Sequence, residues 1–165
     1  MKTAEAVHHP LLAGLTPEHD ALLLRNAREV EFASDEIIFH EGDPANRFYL
    51  IQSGRVALEA RAAGRGTVLI QHIGAGDVLG WSWLFPPFAW HFQARATEPT
   101  RALACNGADL LVTCEENHDL GYELMKRVAQ ILIRRLQATR KQLVQVQSVL
   151  NPPAAGRPVG ATTTN

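Results

Sequence analysis

Residues 74–96, GAGDVLGWSWLFPPFAWHFQARA, combine a glycine-rich turn with a dense run of aromatic residues. All three tryptophans of the chain and three of its six phenylalanines lie here. Glycine lets the backbone approach another group closely, and aromatic rings supply apolar walls. Two interpretations stay open: the rings line a small-molecule pocket, or they are the packed core of a β-barrel. The residues concerned are Gly74, Gly76, Gly80, Trp81, Trp83, Phe85, Phe88, Trp90 and Phe92.

Short β-branched and aromatic runs extend on both sides of this stretch, separated by glycine or polar turns. Repeated short strands with Gly-rich corners are typical of an antiparallel sandwich or barrel, and we predict a β jelly roll. The GxGxxG and GKS/T loops of common nucleotide-binding proteins are absent from the sequence. The candidate strands cover residues 29–33, 37–40, 48–52, 55–61, 67–73, 91–96 and 100–106.

Helix start signals stand before and after the predicted strands. Thr16, which precedes a proline, can cap a helix that reaches Ala27, and Asn106 can cap a second helix over residues 109–116. A long helix is predicted over residues 118–150. The predicted fold is therefore mainly β with flanking helices: an antiparallel β jelly roll (double-stranded β-helix) closed by a long C-terminal α-helix.

One face of the long helix is apolar along its whole length, which is more than a single barrel can cover. We predict that a second copy of the helix covers the far half, giving a homodimer through a two-stranded coiled coil. The alternative is a helix folded back along its own barrel. The predicted dimerisation residues are Met125, Val128, Leu132, Leu136, Leu143, Val146 and Leu150. The basic residues Arg134, Arg135, Arg140 and Lys141 are expected on the solvated face, with non-specific phosphate binding as the lesser alternative.

Four segments follow from these patterns. They are an N-terminal segment over residues 1–14, a jelly roll over 15–117, a dimerisation helix over 118–150 and a tail over 151–165 that is expected to be disordered. His8 and His9 in the first segment are expected at the surface. The sequence has no secretory signal and no long apolar run, which favours a cytoplasmic protein with no membrane contact.

The composition argues against several classes of protein. The 16 Lys and Arg residues balance 17 Asp and Glu residues, so no overall field attracts nucleic acid. Cys105 and Cys114 form neither a disulfide framework nor a metal motif, and the histidines are scattered. We predict no enzyme activity, no metal site and no certain cofactor. A cupin-type metalloprotein, or a haem sensor that uses His91 or Cys105, stays as an alternative.

Two motifs carry a resemblance to a known family. EGDPANRFYLIQSGRV at residues 41–56 and GAGDVLG at residues 74–80, between a capped helix and a long closing helix, resemble the cyclic nucleotide-binding domain of the catabolite-activator (Crp/Fnr-like) superfamily. Gly42, Asp43 and Gly54 fall on its signature, as do residues 48–51 and Val56. The resemblance covers about residues 10–150 and implies a regulatory jelly roll.

The resemblance also implies a phosphate-binding cassette after the glycine-rich turn. In the family, a Glu that follows the last glycine holds the ribose hydroxyl, and backbone N–H groups with a later Arg hold the cyclic phosphate. Here Trp81 stands at the Glu position, and Trp90 or His91 stands at the Arg position. His91 or Arg95 could replace the missing cation, although a buried core role for His91 and a solvent-facing role for Arg95 are the simpler expectations.

The cassette therefore predicts an atypical, aromatic pocket. Losing a charge-assisted contact to phosphate costs about 2–5 kcal/mol, so high-affinity cAMP binding is not expected. The predicted ligand-binding residues are Gly76, Asp77, Gly80, Trp81, Ser82, Trp83, Trp90, His91 and Phe92.

We interpret the chain as a homodimeric regulatory or sensor module with a small-molecule effector. Specific DNA binding by the chain alone is not expected, because residues 151–165 are too few for the helix-turn-helix domain of the family's transcription factors. The alternatives are a ligand-free protein-interaction module and a transcriptional regulator that uses a partner to bind DNA.

Overall fold

The computed structural model describes residues 8–154. It divides into a first unit that ends at Ile131 and a second unit that begins at Leu132. The strands are β1 (Arg28–Phe32), β2 (Ile37–Phe39), β3 (Arg47–Ser53), β4 (Arg55–Ala62), β5 (Gly66–Gly74), β6 (Val78–Leu79), β7 (Gln93–Ala96) and β8 (Thr100–Asn106). The helices are α1 (Pro17–Leu23), α2 (Gly107–Glu116) and α3 (His118–Leu150), with single 3-10 turns at Pro10–Leu12 and Ser82–Leu84.

The strands form two four-stranded antiparallel sheets, with the orders β1-β8-β3-β6 and β2-β7-β4-β5. The predicted fold class, a jelly roll with a long C-terminal helix, is confirmed. The short strand β6 was not predicted, because two residues between glycines give no periodic signal. It pairs with Tyr49 and Leu50 and carries the chain out of the glycine-rich turn.

Side chains alternate between two apolar clusters across the first sheet, as the two-residue period of a strand requires. The inter-sheet cluster contains Phe39, Ala45, Tyr49, Ile51, Val56, Leu58, Ile73, Leu79, Trp90, Ala94, Ala102 and Ala104. The helix-side cluster contains Leu11, Leu12, Leu23, Phe48, Leu50, Val78, Trp81, Trp83, Leu84, Leu103, Cys105, Leu110, Leu120, Leu124 and Val128. Both faces of the first sheet are therefore packed.

The predicted helix caps are present. Thr16 Oγ1 accepts a hydrogen bond from the His19 N–H at 3.2 Å, and Asn106 Oδ1 accepts one from the Asp109 N–H at 3.1 Å. Helix α1 ends at Leu23, before the predicted Ala27, because the chain turns at Asn26, which has a φ of 61°. An asparagine tolerates this left-handed conformation better than most residues.

The beginning of α3 belongs to the core of the first unit. Leu120, Leu124 and Val128 are at most 2% exposed and pack in the helix-side cluster. Val128 was predicted to contact a second copy of the chain, but its side chain is covered by its own chain. Val128 was included because it follows Met125 by three residues. From Leu132 onward, however, the steps alternate between four and three, and continuing this pattern three residues before Leu132 gives Ala129, which is exposed, and not Val128.

The second unit consists of the rest of α3 and the residues that follow it. Its apolar side chains at Leu132, Leu136, Leu143, Val146 and Leu150 are between 43% and 71% exposed. Residues 151–154 form no helix or strand. The expectation of disorder for 151–165 otherwise falls on residues 155–165, which lie outside the described residues.

Candidate functional site

The glycine-rich turn is held by bonds within the chain. Gly76 has a φ of +84° and donates its N–H to the Ile51 carbonyl at 2.9 Å. Asp77 Oδ2 accepts from the Gly74 N–H at 2.8 Å, and the Asp77 carbonyl accepts from the Ile51 N–H at 3.0 Å. These two predicted ligand-binding residues thus shape the turn, since their hydrogen-bonding groups are engaged in it.

Gly80 separates the two clusters at the end of the turn. Its φ is +94°, and a Cβ added to it would lie 2.6 Å from the Trp90 ring. Its carbonyl accepts a hydrogen bond from Trp83 Nε1 at 3.2 Å. The absence of a side chain lets the Trp90 ring approach the backbone, which explains why glycine is needed here.

Trp81 and Trp83 lie in the helix-side cluster. Both stack on Phe48, with ring centroids 6.5 Å and 5.2 Å apart and interplanar angles of 11° and 23°. Trp83 is 1% exposed, and a Cβ on Gly107 would lie 2.5 Å from it. Trp81 Nε1 is buried and has no hydrogen-bond partner among residues 8–154. The first two tryptophans therefore pack beneath the helices.

Trp90 lies in the inter-sheet cluster instead. Its ring stacks on Phe39 with centroids 3.8 Å apart and an interplanar angle of 11°, and only 5% of the residue is exposed. Phe39 also contacts Phe92 and Tyr49, at centroid distances of 5.8 Å and 6.5 Å. The three tryptophans consequently do not share one pocket, because the chain reverses at residues 85–88 between the second and the third. Phe85 and Phe88 in this reversal are exposed.

Ser82 and His91 form a separate pair. The Ser82 Oγ and His91 Nδ1 atoms are 3.0 Å apart; Ser82 is buried and His91 is exposed. His91 was expected to be a core residue or a substitute for the missing cation. The structure corrects the first expectation, because the exposed ring belongs to neither cluster.

Arg95 cannot supply the missing cation between the sheets. Its neighbours Ala94 and Ala96 are fully buried, so the alternation of β7 turns Arg95 to the other face of the second sheet. There Arg95 Nη2 donates to Glu59 Oε1 at 2.6 Å, and Nη1 donates to Asp35 Oδ1 at 2.9 Å. The solvent-facing expectation for Arg95 is thus only partly met.

The Glu59 carboxylate is nearly buried, with 8% of its side chain exposed, and it also accepts from Gln93 Nε2 at 2.9 Å. Hydrogen bonding by Arg95 lowers the pKa of Glu59, and the same contact raises the pKa of Arg95. The carboxylate of Glu59 is therefore paired within the second sheet.

The alternatives with a metal or haem receive no support from the thiols. Burial raises the pKa of the Cys105 thiol to about 12, and Cys105 lies in the helix-side cluster, away from the exposed His91. Within residues 8–154, no three His, Cys, Asp or Glu side chains are grouped to hold a metal ion. The same residues contain no helix with the length and hydropathy needed to span a membrane.

Residues 29–117 match the sequence profile of the family described as "Cyclic nucleotide-binding domain". The chain belongs to this family. It is 26% identical over 136 residues to a CRP-like cAMP-activated global transcriptional regulator of Mycobacterium tuberculosis, an alignment that covers 82% of the chain and 59% of the regulator. The chain thus spans about three fifths of the curated relatives it matches first.

Solved structures agree with this membership. A candidate cyclic nucleotide-binding protein of Geobacter metallireducens is 32% identical, with a TM-score of 0.70, and the match covers 78% of the present chain and 92% of that protein. The Catabolite Activator Protein of Thermus thermophilus is 27% identical, with a TM-score of 0.65, over 84% of the chain and 63% of that protein.

The sequence interpretation missed the partners of the aromatic rings. Phe39 stacks on Trp90, Phe48 stacks on both other tryptophans, and Gly107 makes room for Trp83. The alternation of Phe48 and Tyr49 in β3 predicts opposite faces, but it does not tell which ring meets which tryptophan. That pairing depends on the reversal of the chain at residues 85–88.

Proposed function

We propose that the chain is a regulatory module of the CRP type in which aromatic rings occupy the position of the cyclic phosphate. It responds to an effector other than an ordinary cyclic nucleotide and acts as a homodimer through α3. The observation that carries the proposal is the stack of Trp90 on Phe39 between the sheets, at a centroid distance of 3.8 Å. The proposal takes Trp90 or His91 as the counterpart of the family's phosphate-binding Arg, as the resemblance implies.

Charge and space both argue against a cyclic phosphate at this position. Burying an anion needs paired donors or a cation. The rings of Phe39, Trp90 and Tyr49 offer an apolar surface, while Arg95 is turned away and bound to Glu59. Each missing charge-assisted contact is worth about 2–5 kcal/mol, so the affinity for cAMP is expected to fall by several orders of magnitude.

Calorimetric titration with cAMP and cGMP tests this proposal. We expect no binding at concentrations up to about 1 mM, which corresponds to roughly 4 kcal/mol of binding free energy. The double variant Trp81→Glu, Trp90→Arg, which restores the two charged groups, provides the matched comparison, and its folding is checked by circular dichroism. Micromolar binding of either nucleotide by the natural chain contradicts the proposal.

A ligand-free interaction module is the second candidate. The close stacking of the inter-sheet rings favours it, because rings that fill the space leave the barrel without an effector site. The unpaired Trp81 Nε1 favours an effector, since a buried donor without an acceptor is unfavourable unless water or a ligand supplies one. A screen for small molecules that raise the melting temperature separates the two, with Trp81→Phe as the variant that lacks the donor.

The proposed dimer rests on the second unit. Its apolar positions Leu132, Leu136, Leu143, Val146 and Leu150, together with Thr139, repeat with alternating steps of four and three residues, which is the spacing of a left-handed coiled coil. The five apolar side chains are exposed in the single chain. A second copy of the helix would cover this stripe.

Sedimentation equilibrium tests the dimer. We expect the natural chain to sediment as a dimer and Leu136→Glu, Leu143→Glu to sediment as a monomer. Val144→Glu is the control, because Val144 is as exposed as the others, at 54%, but lies outside the stripe. A monomeric natural chain, or equal disruption by Val144→Glu, rejects the stripe as the interface.

A further inference from the structure

A cavity lies in the first unit, apart from residues 81–92. It is a groove of about 450 Å³ at one end of the first sheet. Two arginines from different strands stand in it, Arg28 of β1 and Arg47 of β3. The groove is lined by Asn26, Arg28, Val30, Arg47, Ala104, Cys105 and Asn106.

The register of the sheet places both arginines on one face. Arg28 lies opposite Ala104 of β8, and Ala104 lies opposite Tyr49 of β3. Residues that lie opposite each other share a face, and Arg47 shares it because it is two residues from Tyr49. Ala104 and Tyr49 belong to the inter-sheet cluster, so both guanidinium groups stand at the open end of that layer.

The strand between the arginines leaves room for a ligand. Strand β8 separates β1 from β3, which puts their backbones about 10 Å apart. On this face β8 presents Ala104 opposite Arg28 and Asn106 opposite Arg47, and the methyl group of Ala104 fills little of this width. Long arginine side chains can reach over it from both sides.

Neither arginine has a counter-charge within the described part of the chain. Among residues 8–154, Arg28 and Arg47 take part in no ion pair and in no side-chain hydrogen bond, unlike Arg95 and Arg127. Burial raises the pKa of the Tyr49 hydroxyl, and the charge of Arg47 partly opposes this.

One carboxylate reaches the rim of the groove. Asp109 Oδ2 accepts from Asn106 Nδ2 at 2.7 Å, and Asn106 in turn caps α2. The Asn106 amide is thus engaged by Asp109, whose carboxylate keeps its negative charge at the rim. Among residues 8–154, the donors that the groove leaves available are the two guanidinium groups and the side-chain amide of Asn26. Each guanidinium offers a planar fork that matches phosphate oxygens.

We propose that this groove binds a small phosphomonoester, with its phosphate dianion between Arg28 and Arg47. Two cations favour a dianion over a monocarboxylate, and a volume of about 450 Å³ suits a molecule larger than phosphate itself. The groove is independent of the proposed function, because no lining residue belongs to the aromatic segment.

Titration with phenyl phosphate, inorganic phosphate and benzoate tests the proposal on the full chain at constant ionic strength, since exposed charges are screened by salt. We expect saturable binding of phenyl phosphate below about 10 mM and at least roughly tenfold weaker binding of benzoate. Arg28→Gln and Arg47→Gln should each weaken phenyl phosphate binding by about tenfold or more. Arg65→Gln, at an exposed turn arginine outside the groove, should leave it unchanged.

Three results overturn the proposal. One is the absence of saturable binding of either phosphate compound up to about 10 mM. Another is an equal loss of binding in Arg65→Gln, which indicates non-specific attraction to arginine. Amide chemical shifts of the natural chain provide a readout that requires no variant to fold: phenyl phosphate should perturb residues 26–30, 47 and 104–106, and perturbation confined to other residues also rejects the site.

Discussion

Trp83 and Trp90 are seven residues apart, yet they pack on opposite sides of the first sheet. Trp83 lies under the helices, stacks on Phe48 and donates a hydrogen bond to Gly80. Trp90 lies between the sheets and stacks on Phe39. One aromatic-rich segment therefore serves two purposes: its first half fixes the helical layer, and its second half fills the layer in which the resemblance implies a ligand.

Aromatic content alone therefore does not locate a pocket. Both residues are at least 95% buried, so burial does not distinguish a structural ring from one at the position that the resemblance assigns to a ligand. The distinction comes from the face of the sheet on which each ring lies. Gly80 contacts both rings. Its carbonyl accepts a hydrogen bond from Trp83, and the ring of Trp90 fills the space that a side chain on Gly80 would occupy.

Trp83→Ala is expected to have the largest effect on stability. Removing a fully buried tryptophan leaves a cavity and costs about 3–5 kcal/mol in the free energy of unfolding, measured by urea denaturation. The matched control is Phe85→Ala in the same segment, which should cost under about 1 kcal/mol because Phe85 is 54% exposed. Equal losses in the two variants would show that Trp83 does not fix the helical layer.

Gly80→Ala sharpens the comparison at the point where the two rings diverge. The positive φ costs an alanine about 1–2 kcal/mol, and the overlap of its Cβ with Trp90 adds about 1–3 kcal/mol. Gly64→Ala separates these contributions, because Gly64 has a φ of +73° with nothing within 4 Å of its Cβ. A loss of unfolding free energy no larger than that of Gly64→Ala would mean that the Trp90 ring does not pack on Gly80.

Sequence reasoning predicted the scaffold well because its signals are local. The caps at Thr16 and Asn106, the glycine corners and the period of the strands each depend on neighbouring residues. The candidate site was predicted less well. Which ring faces which layer depends on packing between residues far apart in sequence, such as Phe39 with Trp90, and that packing leaves no periodic trace.

The same limit explains the assignments of charged and polar residues. Arg95 and Glu59 are 36 positions apart, and the sequence around either residue does not predict their pairing. His9 was expected at the surface but is 7% exposed, because the 3-10 turn at Pro10–Leu12 lies against the glycine-rich turn. Both errors concern polar groups whose partners are supplied by the fold.

Glu59→Gln tests whether a charged pair contributes to stability at the second sheet, in contrast to the apolar packing between the sheets. Breaking the pair with Arg95 is expected to cost about 1–2 kcal/mol, since the guanidinium is partly exposed to solvent. The folded-state pKa of Glu59 lies below its usual 4.5, so its contribution is present above that pH and is lost as the pH falls through the lowered value. The acid limb of the stability curve should therefore flatten in Glu59→Gln. An unchanged acid limb would assign the acid sensitivity to other carboxylates.

His9 is expected to give the smallest effect, and it tests the outer support of the glycine-rich turn. Its Nδ1 accepts from the Leu11 N–H and its Nε2 donates to the Asp77 carbonyl, both at 3.2 Å, so both ring nitrogens are engaged in the neutral form. A proton on Nδ1 removes the acceptor for Leu11. Desolvation by burial lowers the pKa of His9 below 6.5, and the hydrogen bond to Asp77 partly opposes this.

Because the unfolded chain binds this proton more readily, the stabilisation by His9 is complete above about pH 6.5 and declines as the pH falls through the lowered folded-state pKa. His9→Asn keeps a side-chain acceptor for the Leu11 N–H but cannot titrate, so its unfolding free energy should depend less on pH in this range. His118→Asn, at an exposed histidine at the start of α3, should follow the natural chain. If the unfolding free energy of His9→Asn keeps the full pH dependence of the natural chain, another group takes up the proton. In that case the ring of His9 does not stabilise the glycine-rich turn that leads to Gly80 and its two tryptophans.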